Sequence, residues 1–114
     1  MKLITDAQRD AMLANGRRSA AGEEIDPHPV VKLFTPDGAA IWLLTELDPD
    51  DPDVAFGLCD LGVGFPELGS VSLAEIAEVR GRLGLAVERD QHFVATKPLS
   101  AYAEAAENAR YIVA

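Results

Sequence analysis

The chain of 114 residues has one cysteine, Cys59. A lone cysteine cannot close an internal disulfide, so no covalent framework stands in for a packed core. No apolar run approaches the ~20 residues that cross a bilayer, which excludes a membrane span of that kind. The opening MKLITDAQRD turns polar too soon for the apolar core of a signal peptide. The expected compartment is therefore the cytoplasm, with no membrane contact.

Basic residues are missing from a long central stretch. Between Lys32 and Arg80 there is no lysine, arginine or histidine, while residues 33–79 carry ten acids. The whole net charge of -9 lies in this middle. Phosphate recognition needs clustered Lys and Arg, so direct nucleic-acid binding is not expected. One reading of the acids is that they keep a small domain in solution. The other is a surface that steers a basic partner.

What is present points to a folded α+β domain. Hydrophobic residues make up 48% of the chain, and its length fits one domain spanning residues 1–114. Thr5 and Gln8 form a capping-box signal for a first helix, with Ala7, Ala11 and Leu13 or Ala14 facing inward and Asn15-Gly16 as its stop. VVKLFT and AAIWLLTEL flank PDG, a hairpin signal. The near-continuous apolar run in the second arm predicts a central strand covered on both faces.

DPDDP breaks that strand, and VAFGLCD, residues 54–60, predicts the next. LGVGFPELG turns the chain into a short strand near 68–71. Ser72, Glu75, Val71 and Ile76 supply the cap, box and staple of a second helix, ended by Gly81 or Gly84. LAVERD is a candidate fifth strand. Leu99, Tyr102, Ala103, Ala106, Ala109 and Val113 repeat at helical spacing, with Thr96 or Ser100 as the cap. The expected architecture is a mostly antiparallel sheet of four to five strands with three helices.

No catalytic constellation assembles. Gly62 and Gly64 begin like a dinucleotide loop, but Glu67 stands where the third glycine belongs and the helix starts late. Asp48 and Asp50 begin like an EF-hand, but Pro52, Asp53 and Cys59 break its fifth, sixth and twelfth positions. Cys59 neighbours Asp60, which disfavours a thiolate, and one Cys with His28 and His92 apart gives no zinc spacing. No cofactor and no metal is expected, and nothing in the pattern specifies an oligomeric state.

The string from Pro29 to Ile76, PVVKLFTPDGAAIWLLTELDPDDPDVAFGLCDLGVGFPELGSVSLAEI, resembles the bacterial domain-of-unknown-function family numbered 2958. LITDAQRDAMLANGR and GLAVERDQHF fit it as well, so the resemblance runs over roughly residues 3–104. It implies small bacterial proteins, often on plasmids and other mobile elements near antirestriction genes, and it carries no assigned reaction. The function expected is a non-catalytic interaction module whose acidic centre engages a basic protein through Asp48, Asp50, Asp51 and Asp53, with Asp37 and Glu46 contributing. The alternative is a small enzyme or metal-dependent protein using the acidic loop, Cys59 or the histidines.

Overall fold

A computed structural model describes residues 2–114. Helix α1 (Asp6–Ala20) precedes strands β1 (Val31–Phe34), β2 (Ile41–Leu47), β3 (Val54–Asp60) and β4 (Glu67–Ser72). Helix α2 (Leu73–Glu78), strand β5 (Glu88–Arg89) and helix α3 (Leu99–Ala109) complete the order. The five strands form one antiparallel sheet in the order β4-β3-β2-β1-β5. This is the α+β class the sequence predicts, with β1 to β4 running as a meander.

β2 is central and covered on both faces, as its unbroken apolar run requires. Trp42, Leu44 and Leu47 join Met12 of α1 and Ile76 of α2 on one side. Leu43 joins Leu58 and the α3 residues Leu99, Tyr102 and Ala106 on the other. Each such large side chain, once withdrawn from water, contributes about 1.5–3 kcal/mol. The sheet is thus the middle of three layers, with α1 and α2 on one face and α3 on the other.

Local signals start α1 with the full expected box and α2 with the expected Ser72 cap, without the return bond from the Glu75 side chain. The Gln8 N–H donates to Thr5 Oγ1 at 3.1 Å, and the Thr5 N–H donates to Gln8 Oε1 at 2.9 Å. The Glu75 N–H donates to Ser72 Oγ at 3.2 Å. Gly62 and Gly64 take φ of +81° and +88°, the turn geometry that glycine permits.

Five expectations are corrected. Asn15-Gly16 does not stop α1, which runs on to Ala20. The pair docks the helix instead. β2 carries a bulge between Leu44 and Glu46, and Asn15 Nδ2 donates to the Thr45 carbonyl at 2.8 Å. Gly16 is buried, so close to β2 that a Cβ there would stand 1.8 Å from the Leu47 carbonyl oxygen. Docking through Met12 and Gly16 turns Ala7, Ala11 and Ala14 outward, against the expected inward face, while Leu13, the alternative to Ala14, packs against the core as expected.

α2 ends at Glu78, before either glycine, because Val79 turns extended and Arg80 bridges Ala86. The Arg80 guanidinium donates to the Ala77 and Val79 carbonyls, taking up acceptors the helix leaves open. α3 is capped by neither Thr96 nor Ser100. Asp26 reaches across: its carboxylate accepts from the Ser100 N–H at 3.0 Å and from the Ser100 hydroxyl. α3 also stops short of Val113, because Arg110 adopts φ 68° at its end, and Ile112 packs in its place.

Candidate functional site

The meander decides which acids meet. β2 ends where β3 begins, and β4 ends there too, since Val54 pairs with Ser72. Loop 48–53 and the start of α2 therefore share one end of the sheet. Asp48, Asp50, Asp51 and Asp53 are all exposed there, with Glu46 half-buried and Glu75 exposed in the first turn of α2. A cleft of about 370 Å³ opens beside them, lined in part by Gly16, Ser19, Glu46, Asp48 and Phe56.

Asp37 stands apart, in the hairpin at the opposite end. Its Oδ2 accepts from the Leu83 N–H at 2.5 Å and the Leu85 N–H at 3.4 Å. Its Oδ1 is shielded and has no hydrogen-bond partner. This carboxylate holds the 80–86 turn against the hairpin.

Most of the loop aspartates also shape the backbone. Asp48 Oδ1 accepts from the Asp50 N–H at 2.9 Å, and Asp51 Oδ1 accepts from the Asp53 N–H at 3.4 Å. Both are Asx turns, which suit a loop whose prolines remove donors. Asp53 braces α2: Oδ2 accepts from the Ser72 hydroxyl at 2.6 Å, and Oδ1 from the Ala74 N–H at 2.9 Å.

These bonds, the Ser72 hydroxyl first and the Ala74 amide second, hold the Asp53 carboxyl below its ordinary value of 3.8. The pH consequence has a definite sign. With the folded value depressed, the brace is complete above the unfolded value near 3.8 and is lost as pH falls through the lower folded value. A carboxyl-carbon NMR titration is expected to place the Asp53 midpoint below 3.8 in wild type, and to move it up in Ser72→Ala. A midpoint unchanged by that substitution would remove the hydroxyl as the cause.

Cys59 lies on the α1 side of β3, packed against the core there. Burial, with the Glu67 charge second, pushes its thiol up to about 11 from 9.0. Sequence proximity had pointed to Asp60, but Asp60 projects to the opposite face. Glu67 is the cross-strand partner of Cys59. Both histidines are exposed. A shift of two units leaves about a hundredfold less thiolate than in the unfolded chain at a given pH below 9. Alkylation by iodoacetamide at pH 8 is accordingly expected to run at least about tenfold slower in native protein than in urea. Equal rates would show an accessible thiol with no raised pKa, and a faster native rate would show an activated one and revive a nucleophilic role.

Among the described residues no group of three or more His, Cys, Asp or Glu is arranged to hold a metal ion. No helix among them is long and apolar enough to cross a membrane. Sequence reasoning missed one surface. Leu61, Val63 and Phe65 are each about two-thirds exposed, and Leu68 of β4 is 50% exposed. The alternating LGVGF was the available signal, but it reads equally as a turn over a core.

No curated protein and no solved structure matches the chain. A family model, described as Protein of unknown function (DUF2958), matches residues 3–113, which takes in every element from α1 to the tail after α3. The chain, with its antiparallel meander between helical layers, belongs to the DUF2958 family.

Proposed function

We propose that the protein is a non-catalytic interaction module that engages a basic protein through the acidic end of its sheet. One observation carries this reading: the fold gathers Glu46, Asp48, Asp50, Asp51, Asp53 and Glu75 at one end, from a stretch with no basic residue between Lys32 and Arg80. Like charges so placed raise the local potential and speed encounter with an opposite charge. Asp37, its carboxylate committed to the 80–86 turn, is left out of this surface. The finer part of the proposal is that the basic partner is a nucleic-acid-handling or defence protein met by mobile-element products, since such proteins carry basic faces.

The test is a tagged pull-down from host lysate with Asp48, Asp50, Asp51 and Asp53 changed to Asn. Asparagine keeps one acceptor oxygen, so the Asx turns persist while the charge goes, and at position 53 the oxygen can keep the Ala74 N–H while the Ser72 hydroxyl turns to accept from the amide. A basic protein held by wild type at low salt, released at high salt and lost in the variant is the expected result. Equal retention by both forms would remove the loop from the interface.

A further inference from the structure

The two edges of the sheet are treated differently. β5 is two residues long and carries Glu88 and Arg89. The Arg89 guanidinium is tied to the Lys2 carbonyl at 2.5 Å. That is a short, charged and covered edge, of the kind proteins use to prevent further pairing. β4 is six residues, ELGSVS, with no lysine and no proline inside it. Its register with β3 runs without a bulge from Cys59↔Glu67 to Val54↔Ser72. None of the usual blunting devices is present except Glu67 at its start.

The direction of its free groups follows from the ladder. The Leu73 N–H donates to the Asp53 carbonyl at 2.9 Å, continuing the register of Val54 with Ser72. Hydrogen-bonded and non-hydrogen-bonded pairs alternate in an antiparallel ladder. Val71, Gly69 and Glu67 therefore bond to β3, and the N–H and C=O groups of Leu68 and Ser70 point away from the sheet. Beside them lie the exposed apolar side chains of Leu61, Val63, Phe65 and Leu68.

Charge selects the occupant. The edge begins at Glu67 and ends beside Asp53, whose carboxylate holds Ser72, with Asp50, Asp51 and Glu75 exposed nearby. A second copy pairing antiparallel through β4 would set Glu67 of each chain beside the Asp53 end of the other, at both ends of the pairing, on chains of net charge -9 each. An extended segment with alternating basic and apolar side chains meets no such repulsion. We infer that β4 receives a basic, extended segment of a partner protein by strand addition, with the main-chain groups of Leu68 and Ser70 as the docking ladder. The inference rests on the proposed interaction function and specifies its docking element and the conformation of the partner.

The experiment uses amide exchange by NMR on the full chain, first alone and then with a capped peptide of about eight alternating lysines and valines, long enough to span the edge. The peptide is expected to slow exchange at Leu68 and Ser70. Ser70→Pro removes the outward N–H, leaves every charge and the β3 ladder in place, and is expected to weaken the peptide by about tenfold or more. Should that variant lose its fold, a peptide N-methylated at alternate residues asks the same of wild type, with the same loss expected. Salt-dependent binding that leaves Leu68 and Ser70 unprotected and tolerates both changes would overturn strand addition while the acidic-surface function stands. No binding at any salt would bring down both. Protection of the same two amides in the free protein, rising with its concentration, would overturn the basic occupant in favour of a second copy.

Discussion

Gly16→Ala is expected to destabilise the protein by about 3 kcal/mol, the reverse of what this change does in an ordinary exposed helix interior. There, alanine is better than glycine by about 1 kcal/mol. Here the added carbon would stand 1.8 Å from the Leu47 carbonyl oxygen and 3.0 Å from its carbon. Both are main-chain atoms of the central strand, so neither can swing aside as a side chain would. α1 would have to lift from β2, loosening Met12 from the core and stretching the bond from Asn15 to the Thr45 carbonyl at the bulge. A loss of this size is a large share of the roughly 5–15 kcal/mol that separates most folded domains from their unfolded chains. Urea titration reads it directly, as a lower midpoint with unchanged slope. A midpoint at or above that of wild type would mean that the helix does not dock this closely.

Asp60→Ala is the second large effect. The side chain is 1% exposed, so its carboxylate works entirely inside the protein. Oδ1 accepts from the Gly62 N–H at 2.8 Å and Oδ2 from the Ile112 N–H at 2.9 Å. One residue thus closes the glycine turn and pins the tail beyond α3 to the end of β3. Alanine would leave both donors without a protein partner, at about 1–3 kcal/mol each, so a total of roughly 2–6 kcal/mol is expected. Asp60→Asn keeps one acceptor but presents an amide donor to the other N–H, and should fall between. Hydrogen exchange supplies the specific readout: the Ile112 amide should lose protection in Asp60→Ala before the sheet does. A variant within about 0.5 kcal/mol of wild type, with Ile112 still protected, would assign the pinning to packing alone.

These two sites mark where sequence reading stopped. The hairpin around Asp37-Gly38, the β3 limits, the Thr5 box and the Ser72 cap were legible because each signal and its partner lie within a few residues. The IWLL run identified the central strand because burial on both faces leaves no room for polar alternation. Asn15-Gly16 misled because the same dipeptide serves a helix stop or a close approach, and the deciding partner, Thr45, lies 30 residues away. The cap of α3 was hidden for the same reason, with Asp26 lying 74 residues before Ser100.

The acidic count carried a related blind spot. Composition registers an aspartate as a charge, yet Asp37, Asp53 and Asp60 act in the fold as acceptors for particular N–H groups. Asp60 adds nothing to the surface, since it is buried. The grouping of Asp48 to Asp53 was legible as a run. Its meeting with Glu75, and the separation of Asp37, required the strand order. The unguarded β4 edge was not legible, because which strand lies outermost is a property of the sheet and not of any one segment.

The stretch from Ala21 to Val30, which has no regular structure, also carries a consequence for how the chain can diverge. Irregular surface segments ordinarily absorb insertions and deletions. This one is fastened at both ends of its second half. Asp26 caps α3, the Pro27 carbonyl accepts from the Leu99 N–H at 3.0 Å, and the Val30 N–H donates to the Leu44 carbonyl at 2.9 Å. Each residue spans at most ~3.6 Å of chain, so losing one between Asp26 and Val30 would move the cap by more than a hydrogen bond's length. A side-chain cap of this kind is worth about 0.5–2 kcal/mol to a helix, a large loss for one of eleven residues. Relatives that differ in length should therefore differ elsewhere, and this stretch should keep its residue count even where its side chains drift.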